Sequence, residues 1–233
     1  MRDTISHLTY FDEQATLAMQ DPPAFEEHKV AMIASMGAGE MPDVAIGRSL
    51  AGGGGAAALL ERWRSSRATL IGTARGLAAA SPDSPPRITW YGPPMSLASF
   101  VTARVMETWA HGADVRDALG IPLETSVSGR LRHVCHIAYG ARAFTFAAHG
   151  VQDPGDPVEM VVEAPDGETW RWGPAGDDAT NVISGSALDI ALVFTQRRHP
   201  SRTGVKAVGR SAEQWLAIAQ AFAGPATITP EGR

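Results

Sequence analysis

The stretch ARVMETWAHGADVRDALG, residues 103–120, decides the fold of the chain. Its apolar residues recur at helical spacing, which predicts an amphipathic helix. Ser96, ahead of the stretch, is a residue type that begins helices, and Gly120, at its end, is one that stops them. The sequence therefore predicts one helix over residues 97–119, ended by Gly120.

Two polar residues of this predicted helix, Glu107 and His111, stand four positions apart. Positions i and i+4 share a helix face with Cβ atoms about 5–6 Å apart, so both side chains can reach one cation. They flank an apolar stripe that includes Met106 and Ala110, and Asp114 lies near the same face, where it could orient a ligand. The alternative interpretation is an exposed Glu–His pair, which is common on helix surfaces.

A third metal-binding side chain is available in ISHLTYFDE, residues 5–13, within a helix predicted over residues 3–20. His7 stands beside Leu8 and Phe11, on the side expected to face the core. A lone histidine beside an apolar face is more often a satisfied core residue than a ligand. Three such groups on two helices favour a metal site, because the cores of helical bundles are where such sites are built.

The composition of the chain excludes several classes of protein. With 233 residues and 44% apolar residues the chain can build a core, and its net charge of −5 argues against a nucleic-acid partner. It has no apolar run long enough to cross a membrane and no signal peptide. Cys135 is the single cysteine, so no internal disulfide forms. We expect a cytoplasmic protein with no membrane partner.

The sequence pattern changes near residue 150. Helices dominate before that point, and one of them is predicted over residues 126–148. Four predicted strands and two predicted helices follow, with the sequence PDG as a hairpin turn: strands over 158–164, 168–173, 179–185 and 203–209, helices over 186–198 and 211–224. The predicted fold class is α plus α+β, with a helical domain over residues 1–150 and an α+β domain over residues 151–233.

ISHLTYFDE, followed later by METWAHGADVRDALG, resembles the DinB/mycothiol-dependent maleylpyruvate isomerase superfamily. The segment SALDIALVFTQRRHPSRTGVKAVGRSAEQWLAIAQAFAG, residues 186–224, resembles the sterol-carrier-protein-like C-terminal domain of that isomerase group. Nearly the whole chain is covered, and it most resembles an actinobacterial subgroup described only as metal-binding proteins. The resemblance implies a DinB-like helical bundle followed by a small sterol-carrier-like α+β domain.

The resemblance also implies a site. It makes three residues the ligands of a divalent cation that keeps one coordination position open: His7, Glu107 and His111. Two imidazoles with one carboxylate suit Zn²⁺ first, although Ni, Co or Fe(II) could bind the same set. Mycothiol, a low-molecular-weight thiol, becomes the cosubstrate. An arginine of the C-terminal domain reaches the active site in this group. Arg197 or Arg198 is the match, as a ligand for a substrate carboxylate. The alternative is a pair of cations favoured at a helix C-terminus.

Three functions are compatible with these residues and with the resemblance. The first is a divalent-metal-dependent, thiol-using isomerase or S-transferase acting on a small electrophile, such as an unsaturated oxoacid. The second is a non-catalytic metal- or small-molecule-binding protein, whose C-terminal domain carries an apolar ligand. The third is a role in RNA modification, because the C-terminal segment also resembles a short domain named for wyosine-base formation. The negative net charge opposes the third.

The N-terminus departs from the family pattern, because only six residues precede His7. The family bundle normally has a helix before the one that carries this histidine. We expect a bundle that lacks its first helix, either because the chain has none or because the gene start is set too late. The stripe of Ile5, Leu8 and Phe11 would then be partly uncovered, so self-association, as in a homodimer, or poor solubility is expected.

Two further groups of residues have open interpretations. His133, Cys135 and His136 either form a second metal site or belong to a buried or half-buried helix face. Three aromatic side chains either line a pocket or belong to the core, which is the commoner place for them: Trp90, Tyr91 and Trp109.

Overall fold

The structure of the chain, a computed structural model, describes residues 1–36, 55–123, 129–174 and 180–231. These residues are mostly helical, and a small mixed sheet lies in the C-terminal part, which confirms the predicted fold class. Two compact units divide the chain, Met1–Arg104 and Val105–Arg233. The domain division at residue 150 stays a prediction. Within the described ranges, no helix is both long and apolar enough to cross a lipid bilayer.

Among its described residues, 1–36 and 55–104, the first unit has three helices, a short hairpin and the beginning of a fourth helix. Their bounds are α1 Arg2–Gln20, α2 Pro22–Met36, α3 Gly55–Ala80, β1 Arg87–Ile88, β2 Met95–Ser96 and α4 Leu97–Leu119. The two strands pair antiparallel inside the Pro-rich connection, where the sequence had predicted no strand. Asp21 separates α1 from α2, and its carboxylate accepts a hydrogen bond from the backbone N–H of Ala24, which caps the second helix.

An aromatic cluster forms the core of the first unit. The Trp90 ring stacks on the Phe25 ring with 5.4 Å between centroids, and Phe100 meets Trp90 edge to face at 5.2 Å. Tyr91 packs against the same cluster, together with apolar side chains of α1 and α3. Trp90 and Tyr91 therefore belong to the core rather than to an open pocket, and Trp109 packs likewise against the core of the second unit.

A buried carboxylate joins α1 to α3 and α4. Asp12 is fully buried, and its two oxygens accept hydrogen bonds from Arg67 at 2.8 Å and from Arg104 at 3.2 Å. Arg104 is itself buried and lies over the rings of Phe11 and Trp90, each 6.0 Å away. Because a buried charge is costly without its partners, this arrangement restricts how the three helices can pack.

Helix α4 begins and ends where the sequence predicted. The backbone N–H of Ser99 donates to the Ser96 hydroxyl at 3.1 Å, which is an N-terminal cap. Gly120 follows the helix with a φ of +64°, a conformation that glycine adopts without strain. Leu97–Arg104 of this helix belong to the first unit and the remainder to the second. The predicted helix over residues 97–119 is confirmed.

The second unit continues with helices and the four-stranded sheet. The bounds are α5 Arg130–Gly140, α6 Arg142–Ala148, β3 Glu159–Glu163, β4 Thr169–Trp172, β5 Val182–Ser186, α7 Ala187–Phe194, β6 Lys206–Val208 and α8 Arg210–Ala217, with a 3-10 helix at Pro200–Arg202. The strand order is β4-β3-β5-β6. Strand β3 pairs antiparallel with β4 and parallel with β5, and β5 pairs antiparallel with β6. All four predicted strands are confirmed.

Three predicted helices differ from the structure at their ends. The one predicted over 126–148 is two helices separated at Ala141, and residues 126–128 lie outside the described part of the chain. Helix α7 ends at Phe194 rather than 198, and α8 ends at Ala217 rather than 224. Tertiary hydrogen bonds replace helical ones beyond these points. The Gln196 amide donates to the carbonyls of Ala219 and Thr227, for example.

The core of the second unit surrounds Trp215 of α8, which is fully buried. Its ring meets Phe194 edge to face at 5.4 Å, and Tyr139 of α5 packs on it at 5.9 Å. Met106 of α4 belongs to the same cluster of buried residues. The second half of α4 is therefore anchored by apolar packing one residue before Glu107.

The buried carboxylate gives a test of the fold. Asp12→Ala removes the counter-charge of the buried Arg104 guanidinium and of the partly exposed Arg67, so it should lower the free energy of unfolding by about 3–5 kcal/mol. Glu13→Ala is the matched control, because Glu13 pairs with Arg62 at a half-exposed position and should cost less than about 1 kcal/mol. Urea unfolding at neutral pH measures both, and equal losses would contradict the role given to Asp12.

Candidate metal centre

Three side chains that can bind a metal come together in the structure. One ligand atom from each of His7, Glu107 and His111 lies within 4.8 Å of the other two, and all three residues are half-buried. Ligand bonds of about 2.0–2.2 Å hold two atoms at most about 4.4 Å apart, so small side-chain rotations would suffice for one cation. Among the residues that the structure describes, this is the one such group of three. That the three bind a cation stays a prediction.

Glu107 and His111 occupy adjacent turns of α4. The Nε2 atom of His111 lies 3.4 Å from Oε2 of Glu107, and the two side chains are 20% and 21% exposed. Three buried residues form the apolar stripe beside them: Met106, Ala110 and Ala113. The pair thus lies at the edge of a packed surface, where water screens charge less than it does on an exposed helix face.

His7 lies on α1, and its ring packs against Phe11 with centroids 4.6 Å apart and the planes tilted by 55°. Phe11 in turn meets Tyr91 edge to face at 5.7 Å. The imidazole is therefore held by aromatic packing on one side, which limits the orientations that it can adopt.

Asp114 contacts the other nitrogen of His111. Its Oδ2 atom lies 3.2 Å from Nδ1 of the ring, while Nε2 is on the side of Glu107. A proton on Nδ1, shared with this carboxylate, leaves the lone pair of Nε2 available for a cation. The sequence had placed Asp114 near this face as a residue that could orient a ligand, and the structure gives it a contact that can do so.

Arg197 holds Asp114 from the opposite side. Its Nε atom donates to Oδ1 at 3.2 Å and Nη2 donates to Oδ2 at 2.7 Å, while Nη1 donates to the carbonyl of Thr195 at 2.5 Å. Partial burial alone would raise the pKa of Asp114. The hydrogen bonds from His111 and Arg197, together with the electrostatic attraction of these groups for the carboxylate, outweigh burial and hold that pKa well below its usual range. Asp114 is therefore an anion near neutral pH.

Arg198 has a different environment from Arg197. It contacts Asp117 at 3.2 and 3.4 Å, and its side chain is 34% exposed, against 14% for Arg197. The sequence treated the two arginines as equivalent candidates, and it had not singled out Asp117. The sequence nevertheless contained an indication of both ion pairs. Two acidic residues three positions apart on α4 offer opposite charges to two adjacent arginines. Whether either arginine binds a substrate stays a prediction.

The residues of α5 that could have formed a second metal site face different surroundings. His133 and His136 are exposed, and His136 Nδ1 accepts a hydrogen bond from the Trp172 indole at 3.1 Å. Cys135 is fully buried and donates to the carbonyl of Ala187 at 3.6 Å. Burial raises the pKa of its thiol to about 12. Only Cys135 therefore matches the interpretation as a buried or half-buried helix face, because the two histidines are exposed.

The fold and the His/Glu group define a helical domain with a candidate metal centre. Residues 1–116 match the mycothiol maleylpyruvate isomerase N-terminal domain. The chain belongs to the DinB/mycothiol-dependent maleylpyruvate isomerase superfamily. Membership of this family relates the chain to mycothiol and to DinB-like function.

Two relatives are similar over most of their length. Both are proteins of Mycobacterium tuberculosis, from the strains CDC 1551 / Oshkosh and ATCC 25618 / H37Rv, and both carry the name of uncharacterized proteins. Each is 41% identical to this chain over 221 residues, which covers 95% of this chain and 81% of the relative. No solved structure matches the chain significantly.

The burial of Cys135 predicts that the native chain is inert toward thiol reagents. Because the thiol is buried and its pKa is raised to about 12, an aromatic disulfide reagent at pH 8 should react with less than about a tenth of the folded protein within minutes. In denaturant the same reagent should release one equivalent, since the chain has a single cysteine. Rapid stoichiometric reaction of the folded protein would show that Cys135 is accessible.

Proposed function

We propose that the protein is a divalent-metal-dependent enzyme that uses a low-molecular-weight thiol, mycothiol first, for isomerisation or S-transfer on a small electrophile. The observation that carries the proposal is the meeting of His7, Glu107 and His111 within 4.8 Å in a chain of the mycothiol isomerase family. Family membership supports the thiol, and the donor set supports the cation.

The donor set fits a divalent cation, with Zn²⁺ first. Two imidazoles and one carboxylate are a common set for catalytic zinc, and three protein ligands leave a position open. The contact between Asp114 and Nδ1 of His111 is the outer hydrogen bond that metal-bound histidines usually make. A divalent cation bound by these three residues would favour the thiolate form of a thiol beside it.

The sulfur has to come from outside the chain. Cys135 is the single cysteine, it is buried, and its raised pKa keeps it protonated at neutral pH. A protonated, inaccessible thiol is a poor nucleophile. A cosubstrate thiol is therefore required, which agrees with the mycothiol relation of the family.

The expected isomerisation needs a carbon–carbon double bond conjugated to a carbonyl. The thiolate sulfur adds to one carbon of that bond, and the electron pair moves onto the carbonyl oxygen. The remaining single bond rotates, and loss of the same thiolate restores the double bond in the other geometry. The thiol is recovered, so no oxidant or reductant is needed. In an S-transfer, the sulfur would displace a leaving group that departs with the bonding electron pair, and the thiol proton would pass to solvent.

A substrate carboxylate would need a cation, and Arg198 is the more accessible of the two arginines. A guanidinium group binds a carboxylate through two parallel hydrogen bonds. Asp117 contacts Arg198 at 3.2 and 3.4 Å, at positions where both side chains are about one third exposed or more. We propose that a substrate carboxylate can displace Asp117 from this weak, solvated pair.

The second candidate function is a non-catalytic metal-binding protein. The observation that favours it is the pairing of Arg197, whose donors contact Asp114 and the Thr195 carbonyl. An arginine held in this way has a structural role, which a metal-storing or metal-sensing protein would also need. Thiol-dependent turnover separates the two functions.

Metal binding is tested first by stability. If Zn²⁺ binds only the folded state, a concentration 100 times the dissociation constant should stabilise it by about 2.7 kcal/mol, and a chelator should remove the gain. His111→Ala should abolish the response. His133→Ala, on the exposed face of α5, should keep it. An identical melting curve of the wild type with zinc and with chelator would refute the metal centre.

Catalysis is tested with mycothiol and maleylpyruvate, followed by NMR. The zinc-loaded chain should isomerise the substrate only when the thiol is present. Glu107→Gln should lower kcat/KM by more than about 100-fold. Loss of a residue that only contacts a metal ligand costs about 10–100-fold, and Glu107 is proposed as a ligand itself. Glu13→Gln, which changes the same charge on α1, should leave the rate unchanged. Tight zinc binding without turnover of this or other unsaturated oxoacids would favour the binding protein.

A further inference from the structure

Arg197 and His111 meet on a single oxygen atom. Oδ2 of Asp114 lies 2.7 Å from Nη2 of Arg197 and 3.2 Å from Nδ1 of His111. Oδ1 accepts a second hydrogen bond from Nε of the same arginine at 3.2 Å. Two parallel contacts fix the plane of a carboxylate, which one contact does not. The direction from Oδ2 to the imidazole is thereby fixed as well.

We propose that Arg197 is a positioning residue, which acts through Asp114 to hold the His111 ring with Nε2 directed at the cation, and that it is not the anchor of the substrate. The inference rests on the metal centre of the proposed function. It separates two arginines that the sequence left equivalent, and it gives each a different role.

The backbone places Arg197 firmly for this role. Helix α7 ends at Phe194, and Gln196 adopts a φ of +59°, the one non-glycine positive φ among the described residues. The N–H of Arg197 then donates to the Leu192 carbonyl at 2.7 Å, as in a helix C-terminal cap. A positive φ is strained for glutamine, and such strain persists where surrounding contacts fix it, often beside functional residues.

The third donor of the guanidinium group strengthens the hold. Nη1 contacts the Thr195 carbonyl at 2.5 Å, so Nε, Nη1 and Nη2 all have partners within the second unit. The side chain is only 14% exposed. Asp114 occupies the Nε and Nη2 edge of this guanidinium. A substrate carboxylate could form two parallel contacts on that edge only by displacing Asp114, and His111 would then lose the group that orients it.

The charges agree with a positioning role. Glu107 and Asp114 are two carboxylates on either side of His111, at 3.4 and 3.2 Å from its two nitrogens. The two parallel contacts with Arg197 oppose rotation of the Asp114 carboxylate toward solvent or toward a bound metal. The guanidinium of Arg197 neutralises Asp114 and keeps it on the Nδ1 side, so that the two carboxylates do not exchange roles.

The neighbouring pair of Arg198 and Asp117 is a matched control. It joins the same two segments with the same charges, but its contacts are longer and its side chains more exposed. Arg197→Gln and Arg198→Gln therefore remove the same charge from adjacent residues. Asp114→Asn and Asp117→Asn likewise remove the same negative charge from two neighbouring positions of α4.

The test measures Zn²⁺ affinity by competition with a chelating dye, and the Co²⁺ absorption spectrum as a report on ligand geometry. Arg197→Gln should weaken Zn²⁺ binding about 10–100-fold, as loss of an outer hydrogen-bond partner does. Arg198→Gln and Asp117→Asn should stay within about 2-fold of the wild type, since exposed pairs contribute little. Combining Arg197→Gln with Asp114→Asn should weaken binding no more than about 3-fold beyond Asp114→Asn alone, because the two act as one unit.

Arg197→Lys covers the case in which Arg197→Gln fails to fold, as judged by circular dichroism. Lysine keeps the charge but loses the two parallel contacts, so the Co²⁺ spectrum should change and Zn²⁺ affinity should fall about 10-fold. In the metal-free protein, the imidazole nitrogen shifts of His111 should report a proton on Nδ1 in the wild type and a mixture of tautomers in the variant.

The outcomes separate this inference from the proposed function. If the wild type binds no Zn²⁺, the proposed metal centre and the positioning role of Arg197 are both wrong. If the wild type binds Zn²⁺ and both arginine variants bind it equally well, the positioning role alone is overturned. A raised KM in Arg197→Gln with unchanged Zn²⁺ affinity would likewise overturn it, because that result identifies a substrate anchor.

Discussion

Helix α4 carries Arg104, Glu107, His111 and Asp114 on successive turns, and its unbroken hydrogen bonding fixes the spacing among them. Residues at i, i+3, i+7 and i+10 fall on one face of a helix, so the four side chains form a single row. Local sequence secures the helix, through a serine cap at its start and a left-handed glycine after its end. The relative positions of these four side chains depend on the helix being continuous over this range.

A row of charged side chains beside a packed surface requires partners, because charges removed from water are costly when unpaired. Arg104 meets the buried carboxylate of Asp12, and Asp114 meets the guanidinium of Arg197. Each partner comes from a distant part of the chain. The polar row therefore restricts the packing within each unit, and it includes two of the three proposed cation ligands, Glu107 and His111.

The proposed function relies on an external thiol. The single cysteine of the chain lies in the core of the second unit, where burial raises the pKa of the thiol. Helix α4 presents imidazole and carboxylate groups next to arginines of unequal exposure, which are the donor types that the proposed cation and anionic substrate would need. The mycothiol relation of the family agrees with the proposed cosubstrate.

The sequence by itself determined most of the elements and the candidate ligands. The limits of α4, the four strands of the sheet and the spacing of Glu107 and His111 follow from capping residues and periodicity, which are local properties. Asp114 was predictable as a neighbour of His111 for the same reason. Only the tertiary structure decided that Arg197 holds Asp114, a contact across 83 residues, and that α7 and α8 end early. Contacts of that kind depend on how distant segments pack, and no local pattern encodes which of two adjacent arginines will be the buried one.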